Sequence, residues 1–591
     1  MRRNVKAYDA EPGSVLKSDH PNVENRNGYY GYQNYDRKGN CIGFTELGSE
    51  MILERIEIDI DTFVNILQLS FNTGAGLNIQ VDLNRGDLTE TGILKLAEHG
   101  CQVSKDSAPV LIKVIENQES PDIVDFCYEN IGWGYFQKNL IFKGYKCIGF
   151  EAKYKGQLAI KPTGKFSVWK AMVEKSVLGN ERLEAALSFG FSAVLLDFLK
   201  RKRDVENIII SMCGESTTGK STSGFLALST GCYPDFDKDS LALTFLSTEN
   251  ALINSLSENS GYPVLIDEAS LSKSKNFTSL IYTVSQGKEK ARLNKDCTRK
   301  EPGYFSTTAI ITTETSILNG AEQNTGLYLR CLEFYGVVWT NDAESAEEIK
   351  SVIHNNYGHA IPKIAQYLLD KINDGSEDQI FERYDYWRSR FVTKAKEEDN
   401  MNGFIDRFAK KLAVIMTGVE VAREALGIDF NLEEIFAFVD THNQVKDIKK
   451  MDIGNRAYDF LLQSVFANSS KFRKPAKNPK DLPVFVPTEF WGVIEEIDPI
   501  AIKMGGFASK QIKIMQKYFD KIIYEGGFND PKIVSGKLKE SGLLACESDR
   551  RISDFDITGN GDYVKGYIIR VLDVSEKKDE ESKKTVTKKK V

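Results

Sequence analysis

One octapeptide constrains this chain more than any other feature: Gly214-Glu215-Ser216-Thr217-Thr218-Gly219-Lys220-Ser221 fits the pattern GxxxxGK[ST]. It stands between NIIISMC, an apolar run with strand character, and STSGFLALST, whose spacing is helical. A strand that turns through such a loop into a helix aims its backbone N–H groups at one point, where the helix dipole also favours negative charge. The glycines let the backbone wrap that closely. An α/β unit is therefore expected that holds the phosphates of ATP from Gly214 through Thr222. Lys220 reaches the β and γ phosphates, and Ser221 is a ligand of Mg²⁺.

Forty-seven positions after Lys220, YPVLIDEAS supplies a short buried strand ending in Asp267-Glu268. A phosphate site of this kind needs a carboxylate for Mg²⁺ and a base for water, and Asp267 and Glu268 are the expected pair. The adjacent acids favour hydrolysis over transfer to a second substrate; taken alone they are also what any solvated strand end carries. A third strand, FSTTAIITT, ends in Thr312-Thr313, and Thr313 is the expected polar contact to the γ-phosphate or the attacking water.

Between these two strands, GKEKARLNKDCTRKEPGYFS reads as a β-hairpin with Lys295, Arg299 and Lys300 at its tip. Such a tip either grips the phosphates of single-stranded DNA in a central pore or is a solvated turn. Arg330, in NTGLYLRCLEF, is a candidate arginine finger acting on a neighbouring subunit, or one more surface arginine. Arg407, heading the apolar helical stripe FIDRFAKKLAVIM, is the expected sensor-2 residue, with Arg388 and Arg390 as competitors.

The 591 residues suffice for about four units at roughly 150 each. Hydrophobic residues at 41% and charged residues at 27% exclude a collagenous or wholly disordered chain. The formal charge of -7 provides no global basic field, so any nucleic-acid binding must come from local patches. No apolar h-region follows the basic start, and no run of about 18 apolar residues occurs, so a cytoplasmic protein without membrane contact is expected. Nine cysteines without a CxxC pair read as reduced thiols.

Along the chain, residues 1–180 read as a mixed α+β domain, 181–345 as the α/β ATPase core and 346–465 as a helical lid. Residues 466–486, rich in Lys, Pro and Ser, read as a linker. Residues 487–574 read as a winged helix, and the Lys-rich stretch 575–591 as a disordered tail. In the winged helix ASKQIKIMQKYFDKIIYE is the first helix. DPKIVSGKLKESGLL, with Lys537, is the second, open to DNA or protein docking. Within the first domain, 27–44 echoes 131–150 in the order KG, gap, CIGF. Two similar hairpins are expected, whose aromatics either stack bases or pack on one face.

With these segments in line, the stretch from about 185 to 425 resembles the domain of unknown function 927 family, AAA+ ATPases of phages and mobile elements. Gln286 stands where that family has Asn in its NGxGKxR-like segment, and Thr313 where it has Gly in its STGE-like strand end. In this resemblance the end of FSTTAIITT is the sensor-1 position. The whole layout is similar to staphylococcal cassette chromosome helicases, themselves similar to minichromosome maintenance (MCM) helicases and pathogenicity-island initiators. The resemblance implies a ring, hexameric, translocating 3′ to 5′ and working with replication proteins of the same element. It also implies single-stranded DNA in the pore and duplex at the winged helix. A loader or initiator that remodels a protein–DNA complex without processive unwinding is the alternative. A pure DNA-binding initiator with a degenerate ATPase fits less well with an intact Lys220 and Glu268.

Overall fold

The computed structural model describes residues 24–26, 28–271, 276–293, 299–318, 325–397, 405–442, 453–476, 483–503, 506–528, 530–547 and 550–573. Its centre is a five-stranded parallel sheet in the order Ala242–Thr244, Val264–Asp267, Thr308–Thr313, Ile208–Cys213, Cys331–Tyr335. The three middle strands are buried along their whole length, which is why they read as unbroken apolar and threonine runs. Thr308–Thr313 lies between the other two, with Thr313 opposite Cys213 and Ile311 opposite Ile266. The strands therefore deliver the loop after Cys213, the Asp267-Glu268 pair and the Thr312-Thr313 end to one edge, where open parallel sheets bind ligands.

The 20-residue helix Glu181–Lys200 is buried on nearly every face. Asn180 caps it, accepting from the backbone N–H groups of Arg182 and Leu183. Phe189 on this helix meets Phe334 of the sheet, ring centroids 5.2 Å apart. Helices Ala343–Asn355, Ala360–Asn373, Asp378–Glu397, Ile405–Leu426 and Leu432–His442 follow. They share one apolar core with the sheet: Phe334 stacks on Phe438 at 5.8 Å and Phe198 on Phe381 at 5.6 Å.

Before this core, strands Lys153–Tyr154, Val124–Tyr128, Met51–Asp59, Asn65–Asn72 and Asn78–Asn84 form a second sheet in that order, backed by helix Ala108–Gln118. The two echoing segments are both hairpins, with the Lys-Gly pair at the turn and CIGF opening the next strand. In the second, Ile131–Phe136 turns through Gln137 and Lys138, both at positive φ, into Asn139–Lys143. Its Trp133 and Phe142 are packed edge to face at 5.0 Å, and Trp133 Nε1 donates to the Val194 carbonyl at 2.7 Å. The packed reading thus holds for these two rings, whereas Tyr35 and Tyr135 stand exposed.

This hairpin is joined to the central unit by its backbone. Asn259–Ser260, just ahead of the Asp267 strand, pairs in parallel with Ile131–Gly132. A Cβ on Gly132 would lie 1.9 Å from the Ser260 carbonyl oxygen. Only a residue without a side chain permits that approach.

The last unit departs from the sequence reading in three places. Helix Ile453–Ala467, assigned to the lid by its periodicity, packs into the C-terminal core through Ala457, Leu461 and Val465. Inside the expected linker, Phe472–Arg473 is a short strand paired with Gly492–Val493. ASKQIKIMQKYFDKIIYE is half strand, Phe507–Met515, and half helix, Gln516–Glu525. Ile512 and Ile514 face the core at strand period, and Phe519, Ile522 and Ile523 continue at helical period without a break in apolar content. Helix Pro531–Glu540, capped by Asp530, and the antiparallel pair Ser553–Asp556 and Tyr563–Leu572 match the expected helix, strand, turn, strand. Residues 575–591 lie outside the described residues. Among the described residues no helix is long and apolar enough to cross a membrane.

Candidate nucleotide-binding site

After Cys213 the chain enters Gly214 at φ 157°, passes Thr217 at φ 64° and Gly219 at φ 81°, and then starts helix Lys220–Leu228. The left-handed Gly219 also sits where a Cβ would lie 2.4 Å from Thr340 Oγ1. The loop is braced from behind, because Trp339 N donates to the Thr218 carbonyl at 2.7 Å. Lys220 is only 8% exposed, and its ammonium donates to the carbonyls of Gly214 at 2.9 Å and Glu215 at 2.6 Å. Burial pushes its pKa down, against the opposing charges of Glu314, Cys213 and Asp267. The donor set suits a phosphate: a cation held by the loop's own carbonyls, which phosphate oxygens can replace.

Ser221 Oγ donates to Asp267 Oδ1 at 3.0 Å, so the hydroxyl and the carboxylate expected to share a Mg²⁺ lie side by side. An oxygen-only pair of this kind is what Mg²⁺ takes. Thr222 and Asp267 are buried, whereas Glu268 is exposed and sits at φ 58°. A left-handed non-glycine residue costs about 1–3 kcal/mol and persists where surrounding bonds hold it. Here the bond is identified: Glu268 N donates to Thr312 Oγ1 at 3.0 Å, while that hydroxyl donates to Asp267 Oδ1.

Thr312 is therefore the residue of the third strand that meets the acids. The expected Thr313 turns the other way, donating to the Thr315 carbonyl at 2.6 Å and closing a local turn. Successive strand residues face opposite sides, so only one of the pair can serve.

Arg330 lies directly before strand Cys331–Tyr335, at the edge of the sheet opposite its own loop. Its Nη1 donates to the Gly326 carbonyl at 2.6 Å, and its guanidinium lies 4.4 Å from the Tyr282 ring centroid. Lys411, on helix Ile405–Leu426, is a buried cation that sequence reasoning missed. Its ammonium donates to the carbonyls of Leu329 and Arg330, each at 3.1 Å. Burial pushes its pKa down to about 8, with Glu206 at 3.7 Å opposing.

Arg407 lies one turn from Lys411 on the same helix, beside Asp204, which precedes strand Ile208–Cys213. At about 3.3 Å per residue, the six-residue strand separates it from its own phosphate loop by ~20 Å. It is not a sensor-2 neighbour of that loop. Its competitors Arg388 and Arg390 are paired with Asp406 and Glu433.

The basic hairpin has Arg292–Leu293 paired with Arg299–Lys300, on a stem in which Lys288 bridges Tyr304, so Arg299 and Lys300 lie in its second strand and not at the tip where the sequence reading put them. Lys295 lies outside the described residues. Lys537 sits on the exposed face of helix Pro531–Glu540, paired with Glu540 at 2.7 Å.

Residues 23–303 match the family model described as Domain of unknown function (DUF927), and residues 452–574 match the Cch helix turn helix domain. No curated protein matches the sequence. Among solved structures, a chain described as "SCCmec type IV Cch - active helicase" is 23% identical, with a TM-score of 0.72 over 93% of this chain and 97% of its own. The two share a fold. The family match begins well before the stretch 185–425 and ends just past the basic hairpin, so it takes in the N-terminal sheets and leaves the Thr312 strand and Arg330 outside. The Cch match begins at the helix Ile453–Ala467, in keeping with the core that this helix joins. Residues 23–303 thus carry the DUF927 match and residues 452–574 the Cch helix turn helix match, in a chain that shares the fold of that helicase.

Proposed function

We propose that this chain is an ATP-dependent DNA helicase that serves replication of a mobile element and works as an AAA+ ring, hexameric and moving 3′ to 5′. The observation that carries the reading is the meeting of Lys220, Ser221, Asp267 and Thr312 at one sheet edge, with the exposed Glu268 pinned beside them. The strand order supports the AAA+ reading, since the strand carrying Thr312 lies between the loop strand and the acid strand, where a sensor-1 hydroxyl would reach both. The printed description of the structural neighbour supports helicase activity over other ATPase outputs.

In this reading residues 214–222 hold ATP, and Ser221 with Asp267 holds Mg²⁺, whose charge offsets that of the phosphates. Glu268 orients and deprotonates water. Arg330, remote from its own loop, serves a neighbour's. Lys295, Arg299 and Lys300 follow single-stranded DNA in the pore, and the domain around Lys537 contacts duplex. The test is strand displacement on forks with only a 3′ or only a 5′ tail, with Glu268→Gln as control. Displacement that requires Glu268 is expected on 3′-tailed forks. ATP turnover stimulated by DNA without displacement would instead establish the loader.

A further inference from the structure

Glu314 directly follows the Thr312-Thr313 strand end, and its carboxylate accepts a hydrogen bond from Ser216 Oγ of the phosphate loop. It is exposed at the mouth of the loop, and its charge acts on Lys220, the cation meant for the β and γ phosphates. Its backbone is fixed there too: Gly214 N donates to the Thr313 carbonyl at 3.2 Å. A carboxylate in this position is neither of the two acids that hydrolysis uses. It occupies ground that a terminal phosphate, with nearly two negative charges of its own, must share.

The segment behind it leads to Arg330. Ser316 Oγ donates to one oxygen of buried Glu333 at 2.7 Å, and Ser211 Oγ of the loop strand donates to the other at 3.0 Å. Glu333 lies three positions after Arg330 in the strand Cys331–Tyr335. A shift of Glu314 therefore has a short covalent and hydrogen-bonded route to the segment carrying that arginine.

We propose that Glu314 is a triphosphate-displaced latch: bound to Ser216 it bridges the phosphate loop to the neighbouring strand end, and the γ-phosphate of an incoming nucleoside triphosphate expels it. The inference rests on the ATPase reading above and adds a discriminator between triphosphate and diphosphate. A diphosphate ends short of the strand edge that carries Glu314 and leaves the latch in place. A triphosphate fills the gap between loop and strand ends and opposes it by charge.

The experiment titrates the full chain, with Mg²⁺ present, against mant-ADP and mant-ATPγS. Glu314→Gln keeps the shape and removes the charge, and should tighten mant-ATPγS binding by about tenfold while mant-ADP changes by less than about twofold. Ser216→Ala, which keeps the charge but frees the latch, should shift the same ratio in the same direction by about threefold. Thermal melting of each variant checks folding, and either variant alone decides the matter if the other does not fold. Equal shifts for both nucleotides, or none, would overturn the latch and leave the ATPase reading intact. A wild-type chain that binds neither nucleotide would overturn the ATPase reading and the latch with it.

Discussion

The Thr312 hydroxyl donates to the same Asp267 oxygen that the Ser221 hydroxyl reaches, so one carboxylate oxygen ties the phosphate loop to the strand beside it. Thr312 also receives the Glu268 backbone N–H, which makes it the peg on which both acids hang. Replacing it with Val keeps the shape and removes the peg. Thr312→Val is expected to lower ATP turnover by about a hundredfold with nucleotide affinity nearly unchanged. Thr313→Val, which loses only a local turn, is expected to stay within about threefold. Steady-state ATPase rates for the two variants decide between the neighbours.

The sheet edge was readable from sequence because its chemistry lies in contiguous strings: an octapeptide, an adjacent acid pair, a basic stretch between two strands. Which threonine faces the acids was not, since that depends on register with Cys213 and Ile266, set by strands far away in the chain. Arg407 misled for a related reason. An apolar stripe shows that a helix is buried, but not which end of the sheet it crosses. Helix Ile453–Ala467 has the period of any amphipathic helix, and only the buried cluster it shares with Phe519 and Ile569 reveals the body it belongs to. Lys411 left no mark at all, since a buried lysine looks like an ordinary surface residue until the fold places it, and Glu314 showed only as the last residue of the STGE-like strand end, without its contact to Ser216.

Lys411 gives a pH signature. Its pKa is pushed down to about 8 in the folded protein, below the unfolded value, so above that pH the folded state holds fewer protons than the unfolded one. Stability contributed by this site therefore rises with pH from about 8 to about 10.4, by at most ~1.4 kcal/mol per pH unit, and is flat below. The groups facing it are Glu206, Cys331, Arg330 and Arg407. Glu206 opposes the shift, and burial holds the Cys331 thiol well above its ordinary value, so it titrates later. Lys411→Met should remove the slope, read as the difference between wild-type and variant melting at pH 7.5, 8.5 and 9.5.

The joint between the N-terminal hairpin and the core predicts a steric failure. Gly132→Ala drives a methyl into the Ser260 carbonyl and should separate the paired strands, lowering the melting temperature and exposing the 131–148 hairpin to protease. Gly43→Ala, at a position with open space around it, is the control and should melt like wild type.

If the basic hairpin follows the DNA backbone, its three cations must appear in the salt dependence. Reversing Lys295, Arg299 and Lys300 to Glu should abolish DNA stimulation of ATP turnover. Neutralising them to Gln should flatten the plot of log affinity against log salt by about two for single-stranded DNA, at ~0.7 per phosphate contact. An unchanged slope in fluorescence anisotropy titrations would place the DNA elsewhere.

Arg330 lies at the opposite edge of the sheet from its own phosphate loop, so its effect on hydrolysis must be supplied to another subunit or be absent. The two cases separate by mixing inactive variants. Arg330→Ala keeps a sound loop without a finger, and Lys220→Ala keeps the finger without a sound loop. If the chain assembles into the proposed ring, mixing at equal proportion gives a complete site wherever a sound loop meets a sound finger, which random assembly yields at about a quarter of interfaces. ATP turnover should therefore recover to about a quarter of wild type on mixing, although each variant alone stays inactive. Turnover that remains at the level of the separate variants would remove Arg330 from the neighbour's site and leave it as the structural link between Tyr282 and the Lys411 helix.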